Sequence, residues 1–188
     1  MTQSQIARQE RMVEVATRLA TDGGFDAVQM RTVATEADVA LGTLYRYFPS
    51  KEHLLVSAML RQIGDLATRL SIKPPAGSEP AERVIDVLRR SNHSLQRQPR
   101  FALAVIKALA SGDETVAPAV RQVRESMRSI ILGAIGEVDT TPRDEMVGEI
   151  LEEVWFSALV GWISGVDSSG SVIRKLEDAT SLLFEGRP

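Results

Sequence analysis

The octet Leu41–Phe48, "LGTLYRYF", concentrates side chains that could engage a partner: one threonine, two tyrosines and an arginine, with Lys51 shortly after. Thr43, Tyr45, Tyr47 and Lys51 can all donate hydrogen bonds to phosphate oxygens, and Arg46 can reach either a backbone phosphate or a base edge. At 100° per residue, Leu41, Leu44, Tyr45 and Phe48 share one arc of a helix, while Gly42, Thr43, Arg46 and Tyr47 share the opposite one. Leu44 and Phe48, four residues apart, would anchor the helix to a core. Gly42 and Thr43 would let the outer face approach a partner closely. Lys51 stands in the first turn of the next helix, where backbone N–H groups favour anions. A short aromatic helix can also be simply a packed element, and Tyr-Arg-Tyr alone does not separate the two readings. The tight turn before the octet and the helix restart after it add weight to the first.

Other chemistry is sparse. His53 and His93 lie far apart, there is no cysteine, and neither a phosphate-binding loop nor a nucleophile elbow is present. The acidic run "DEMVGEILEEV" (144–154) reads as a solvated helix face near a helix start rather than a carboxylate metal site. No metal, cofactor or catalytic residue is expected, and the chain reads as a binding protein rather than an enzyme. The net charge of −3 does not advertise a nucleic-acid binder. In residues 1–63 seven basic side chains face seven acidic ones, so position, not total charge, must carry any DNA reading. The absence of cysteine, of a secretory leader and of an 18-residue apolar run points to the cytoplasm.

The positioning elements are all helical. The spacing predicts a first helix from about Gln5 to Thr21, stopped at Asp22-Gly23-Gly24, then short helices near Met30–Ala37 and Leu41–Phe48 around Asp38-Val39-Ala40. Pro49 ends the second short helix and Ser50 caps a long amphipathic one over 51–70. After the break "SIKPPAGSEP" come helices near 80–97, 99–110, 115–137, 142–165 and 171–185, with a turn at Asp139–Pro142. A helical triplet, a connecting helix and a five-helix body result, with the boundary drawn between 1–50 and 51–188.

The stretch "GGFDAVQMRTVATEADVALGTLYRYFPSKEHLL" (23–55) resembles the DNA-binding segment of the tetracycline-repressor family. The matching parts are the "GF" turn, "R-x-V-A-x-x-A-x-V" and "GTLYRYFPSK". The resemblance implies an all-α, nine-helix fold with an N-terminal helix-turn-helix domain and a C-terminal body that dimerises and binds an effector. It assigns Thr43, Tyr45, Tyr47 and Lys51 to DNA backbone contact, Gly42 to the close approach, and Arg31 to the opposite phosphate strand. Arg46 stays with backbone or base. Two departures stand out. Ala40 replaces the usual capping hydroxyl, and Leu41 stands where a polar base-reader is common, although it can pack on a thymine methyl. Stretches such as "AVQMR", "HLLVSA" and "LQRQP", with the Trp155…Trp162 spacing, resemble the branch that represses sterol and cholesterol catabolism, which implies a steroid-derived acyl-coenzyme A inducer.

From Trp155 onward, "WFSALVGWISG" is apolar almost all round, so it needs cover on every side. Phe156, Leu159, Val160 and Ile163, with Leu176 and Leu183 of the last helix, would form a two-fold four-helix interface. Trp155 and Trp162 are either plain core or, with Met59, Leu66, Phe101, Val105, Met127, Ile131 and Met146, the wall of an adaptable apolar cavity. The expectation is a homodimeric repressor released from a palindromic double-stranded operator by a hydrophobic small molecule, acting through the 51–70 helix. The alternative is an all-α lipid- or acyl-binding carrier or enzyme without DNA binding.

Overall fold

A computed structural model describes residues 2–136 and 140–185, and among them finds nine helices and no strand. In order these are α1 (Gln3–Ala27), α2 (Met30–Glu36), α3 (Leu41–Tyr47), α4 (Lys51–Ile72), α5 (Pro80–Gln96), α6 (Pro99–Leu109), α7 (Ala117–Ile135), α8 (Pro142–Ile163) and α9 (Ser169–Phe184). Helix starts follow their caps. Thr2, Thr141 and Ser168 each accept a backbone N–H three residues on, and Ser50 Oγ accepts that of His53 at 3.3 Å. Such caps contribute about 1 kcal/mol each. Ala40 precedes α3 with no side-chain cap, as expected from its methyl group.

Several boundaries differ from the sequence reading by two residues or more, three of them as follows. The first helix is kinked, not ended, at Gly24, where φ is 74°, and one further turn carries it to Ala27. A Cβ at Gly23 would lie 2.5 Å from that of Ala27, so the bend needs both glycines. The seventh helix starts at Ala117, while residues 137 and 139, expected at its end and in the next turn, lie outside the described residues. The last helix starts two residues early because the Ser168 hydroxyl caps it.

Contacts gather the chain into two compact units. Residues up to Arg61 together with Gln98–Arg121 form one; Gln62–Arg97 and the residues from Gln122 onward form the other. The division between these units runs through α4 and α7. In the first unit α1 packs on α6 and α2, and α2 on α3. Thr21 Oγ1 donates to Gln98 Oε1 at 3.2 Å and Arg100 Nη1 to the Asp22 carbonyl at 2.6 Å, so α6 is built into the same unit as the helical triplet. Its small residues Ala102, Ala104 and Ala108, all buried, let another helix come close. In the second unit α9 packs against α5 and α8. There Glu152, almost buried, takes both Arg124 Nε contacts at 2.9 Å, and this hydrogen bonding raises the Arg124 guanidinium further above its ordinary range.

Candidate nucleic-acid interface and effector-binding body

The turn between α2 and α3 is made by Asp38 at φ 52°, a left-handed conformation that a short polar side chain tolerates. The Val39 N–H closes the turn on the Ala34 carbonyl at 2.9 Å. Two hydrophobic anchors then fix α3: Leu44 and Phe48 are 0% and 2% exposed. Around them Gly42, Tyr45 and Arg46 are exposed, and Leu41, Thr43 and Tyr47 are half-buried. Tyr45 therefore points outward although it shares the arc of Leu44 and Phe48. A Cβ at Gly42 would meet no atom within 4 Å, so nothing inside the chain requires glycine there. What the missing side chain leaves clear is the approach from outside.

The outer face has a defined electrostatic surface. The Arg46 guanidinium lies 5.9 Å from the Tyr47 ring centroid, and that ring leans on Phe48 at 6.4 Å and 36°. Arg46 and Tyr47 also line an open groove of about 570 Å³ with Gln5 and Gln9 of α1. These two glutamines were not singled out by the sequence reading, although their spacing of four residues places them on one helix face. Arg31 is exposed in the first turn of α2, free to meet a partner. Arg18 is held by an ion pair to Glu36.

Lys51 is engaged within the chain. Its Nζ donates to the Phe25 carbonyl at 3.3 Å and lies 3.8 Å from the Phe25 ring centroid, with Lys107 Nζ over the same ring at 4.4 Å. The carbonyl just past the Gly24 kink supplies an acceptor that draws Lys51 inward, so the ammonium is not an unengaged phosphate donor.

Of the residues expected to line a cavity, Met59, Phe101 and Val105 are buried in the first unit, and Leu66, Met127, Ile131 and Trp155 in the second. Met146 is corrected: at 60% exposed it lies off the stripe of α8 that buries Asp144, Val147, Gly148, Leu151, Glu152 and Trp155. The two tryptophans also differ, since Trp162 is half-exposed near the end of α8. Trp155 is fully buried, and its indole N–H meets no acceptor among the described residues.

The expected interface set is corrected at Leu159 and Leu176, both 0% exposed. Leu159 continues the buried stripe four residues after Trp155, and Leu176 that of Val172, so both belong to the subunit's own core. Phe156, Val160, Ile163 and Leu183 are half-exposed and Leu182 is 67% exposed. Leu182 stands beside Leu183 in the last turns of α9. Among the described residues no group of three or more His, Cys, Asp or Glu could hold a metal ion, and no helix is long and apolar enough to cross a membrane.

Comparison with known proteins gives the following. The family described as "Bacterial regulatory proteins, tetR family" matches residues 12–58, and "Tetracyclin repressor-like, C-terminal domain" matches residues 77–183. The chain is 38% identical over 181 residues to the HTH-type transcriptional repressor KstR of Rhodococcus jostii strain RHA1, covering 96% of this chain and 84% of that relative. A crystal structure of a TetR transcriptional regulator from Rhodococcus sp. RHA1 superposes with a TM-score of 0.88 at 33% identity, covering 99% of this chain and 100% of that one. The fold is also shared with Thermus thermophilus FadR, a repressor solved in complex with lauroyl-CoA, at a TM-score of 0.64 and 22% identity, covering 96% and 95% of the two chains.

Proposed function

The chain belongs to the tetracycline-repressor family of bacterial transcriptional regulators, and on that premise we propose that it is a homodimeric repressor whose α3 reads an operator and whose body responds to a hydrophobic acyl-coenzyme A. It is a regulator, not an enzyme. The observation that carries the reading is α3 itself: Leu44 and Phe48 hold it from behind, while Gly42, Tyr45 and Arg46 stand in the open. The half-buried Thr43 and Tyr47 flank that face, with Arg31, Gln5 and Gln9 in support. Two such heads, related by a two-fold axis, match a palindromic operator.

The effector reading has separate support. Trp155 brings an unpaired N–H into an apolar interior, where a buried donor ordinarily finds a partner. An apolar molecule that carries a carbonyl would supply one. KstR is a similar repressor, and a FadR of the same fold was solved with lauroyl-CoA. These favour an acyl thioester, and the likeness to the sterol branch in "LQRQP" and the Trp155…Trp162 spacing favours a steroid-derived one. Release would follow from effector binding that favours a head spacing unsuited to the operator, transmitted along the unbroken helix α4. A carrier without DNA binding is not favoured, since the family match over residues 12–58 covers the three helices that such a carrier would not need.

The test is release of operator DNA. Titrating the protein–operator complex with steroid acyl-coenzyme A compounds should free the DNA and quench Trp155 fluorescence over the same concentration range. Quenching without release, or release by no acyl-coenzyme A at all, contradicts the proposed effector class.

A further inference from the structure

Within the second unit, α5 and α9 enclose an open groove of about 450 Å³, lined by Arg89, Arg90, Asn92, His93, Gln96, Ile173 and Glu177. This lies within the roughly 300–1,000 Å³ of small-molecule sites. Arg89 stands three and four residues before Asn92 and His93, and Gln96 three and four after them, so these four polar side chains share one face of α5.

Their partners separate wall from recognition surface. Arg90 is fixed: it pairs with Asp86 at 2.5 Å and donates to the Lys73 and Pro74 carbonyls at 2.7 and 3.2 Å. Gln96 Nε2 donates to the Ser169 carbonyl at 2.7 Å, which leaves its Oε1 unused. Arg89 gives only Nε, to Glu177 at 2.7 Å; that bond engages the groove's one carboxylate and leaves the two terminal nitrogens of Arg89 without a partner among the described residues. His93 is exposed, and its ring makes no hydrogen bond there. Asn92, 3% exposed, is the second and independent observation: its buried amide oxygen has no donor among the described residues. The groove thus offers guanidinium and imidazole donors, one acceptor awaiting an O–H or N–H, and an apolar side chain, Ile173.

We propose that this groove binds a phosphorylated nucleoside, the head group of a coenzyme A thioester, with phosphate on Arg89 and His93 and a hydroxyl or amino donor on Asn92. The proposal rests on the reading of the body as an acyl-coenzyme A receptor. It adds where the polar head is held while the acyl chain occupies apolar surroundings. A simple phosphate would satisfy Arg89 and His93 but leave Asn92 unmatched.

The experiment uses the full chain and free coenzyme A, followed through the imidazole proton resonances. The sequence has only two histidines, so His53 is the internal control. Coenzyme A should move the His93 signals and leave His53 in place, while inorganic phosphate at the same concentration should move the His93 signals far less. In parallel, an Arg89→Gln/His93→Gln variant should lose about tenfold or more in affinity for oleoyl-coenzyme A, as loss of charge-assisted hydrogen bonds requires. Its affinity for free oleate, its thermal melt and its operator binding should match wild type. An unmoved His93 with coenzyme A overturns the proposal, as does oleoyl-coenzyme A affinity retained in the folded variant. An equal response to inorganic phosphate overturns the nucleoside assignment. None of the overturning results involves DNA, and failure of the acyl-coenzyme A receptor reading would show separately, as a wild-type chain unable to bind oleoyl-coenzyme A.

Discussion

A glutamate at Val160, or at Phe156, converts the protein to monomers and lowers operator affinity by about two to four orders of magnitude, the loss expected when two linked heads become independent. The reasoning starts from the uneven burial of α8. Trp155, Ala158 and Leu159 close the subunit's own core, while Phe156, Val160 and Ile163 remain half-exposed on the same apolar helix. On α9, which packs on α8, Leu182 and Leu183 extend that uncovered surface. Apolar side chains left uncovered on two adjacent helices are satisfied by a second copy of themselves, and a buried unpaired carboxylate at their centre is strongly destabilising. Sedimentation at micromolar concentration and a gel shift report both effects. A dimer retained in either variant moves the interface elsewhere. Leu159 and Leu176 are unsuitable for this test, since a charge there would disrupt the subunit itself.

Phe48→Ala destabilises the helical triplet by about 3–5 kcal/mol, the range for a buried phenylalanine truncated in a packed core. Phe48 is 2% exposed, caps the end of α3 through its N–H to the Leu44 carbonyl at 2.8 Å, and supports the Tyr47 ring. The seven-residue helix has no side-chain cap at Ala40 to offset the loss. The damage should be local, because α2 and α3 pack chiefly on each other and, through α2, on α1. Hydrogen exchange should show α2 and α3 amides unprotected while those of α5, α8 and α9 keep their protection. Uniform loss of protection, or none, contradicts this division of stability.

These residues also show how far the sequence speaks. Much of the octet is legible because its pattern is local: two anchors four apart on a helix orient Gly42 and Arg46 outward, though not Tyr45, which shares their arc and is exposed. Leu44 and Phe48 are buried, and Gly42 and Arg46 exposed, as that pattern requires. Long-range matters were less so. The inward turn of Lys51 depends on a carbonyl 26 residues earlier, exposed by a kink at Gly24 that sequence spacing read as a helix end. Periodicity showed that the end of α8 is apolar all round, but not which apolar residues the subunit keeps; Leu159 and Leu176 are claimed by its own core. Met146 failed for a simpler reason, a position one residue off the buried stripe. The affiliation of α6 with α1 is tertiary, set by small residues that suit any close helix pair. The groove of α5 required Ile173 and Glu177, some eighty residues away in sequence.

The central claim is that the outward face of α3 meets duplex phosphate. The direct measurement is operator affinity across a series of salt concentrations for wild type and an Arg46→Ala/Tyr47→Phe variant. Loss of charge-assisted and hydroxyl contacts in both subunits should weaken binding by at least about a hundredfold. Removing one cationic contact per subunit should also flatten the log–log salt slope by about 1.8 for the dimer, at about 0.9 per phosphate. A variant that folds and dimerises like wild type, yet keeps its affinity and its salt slope, would contradict the account.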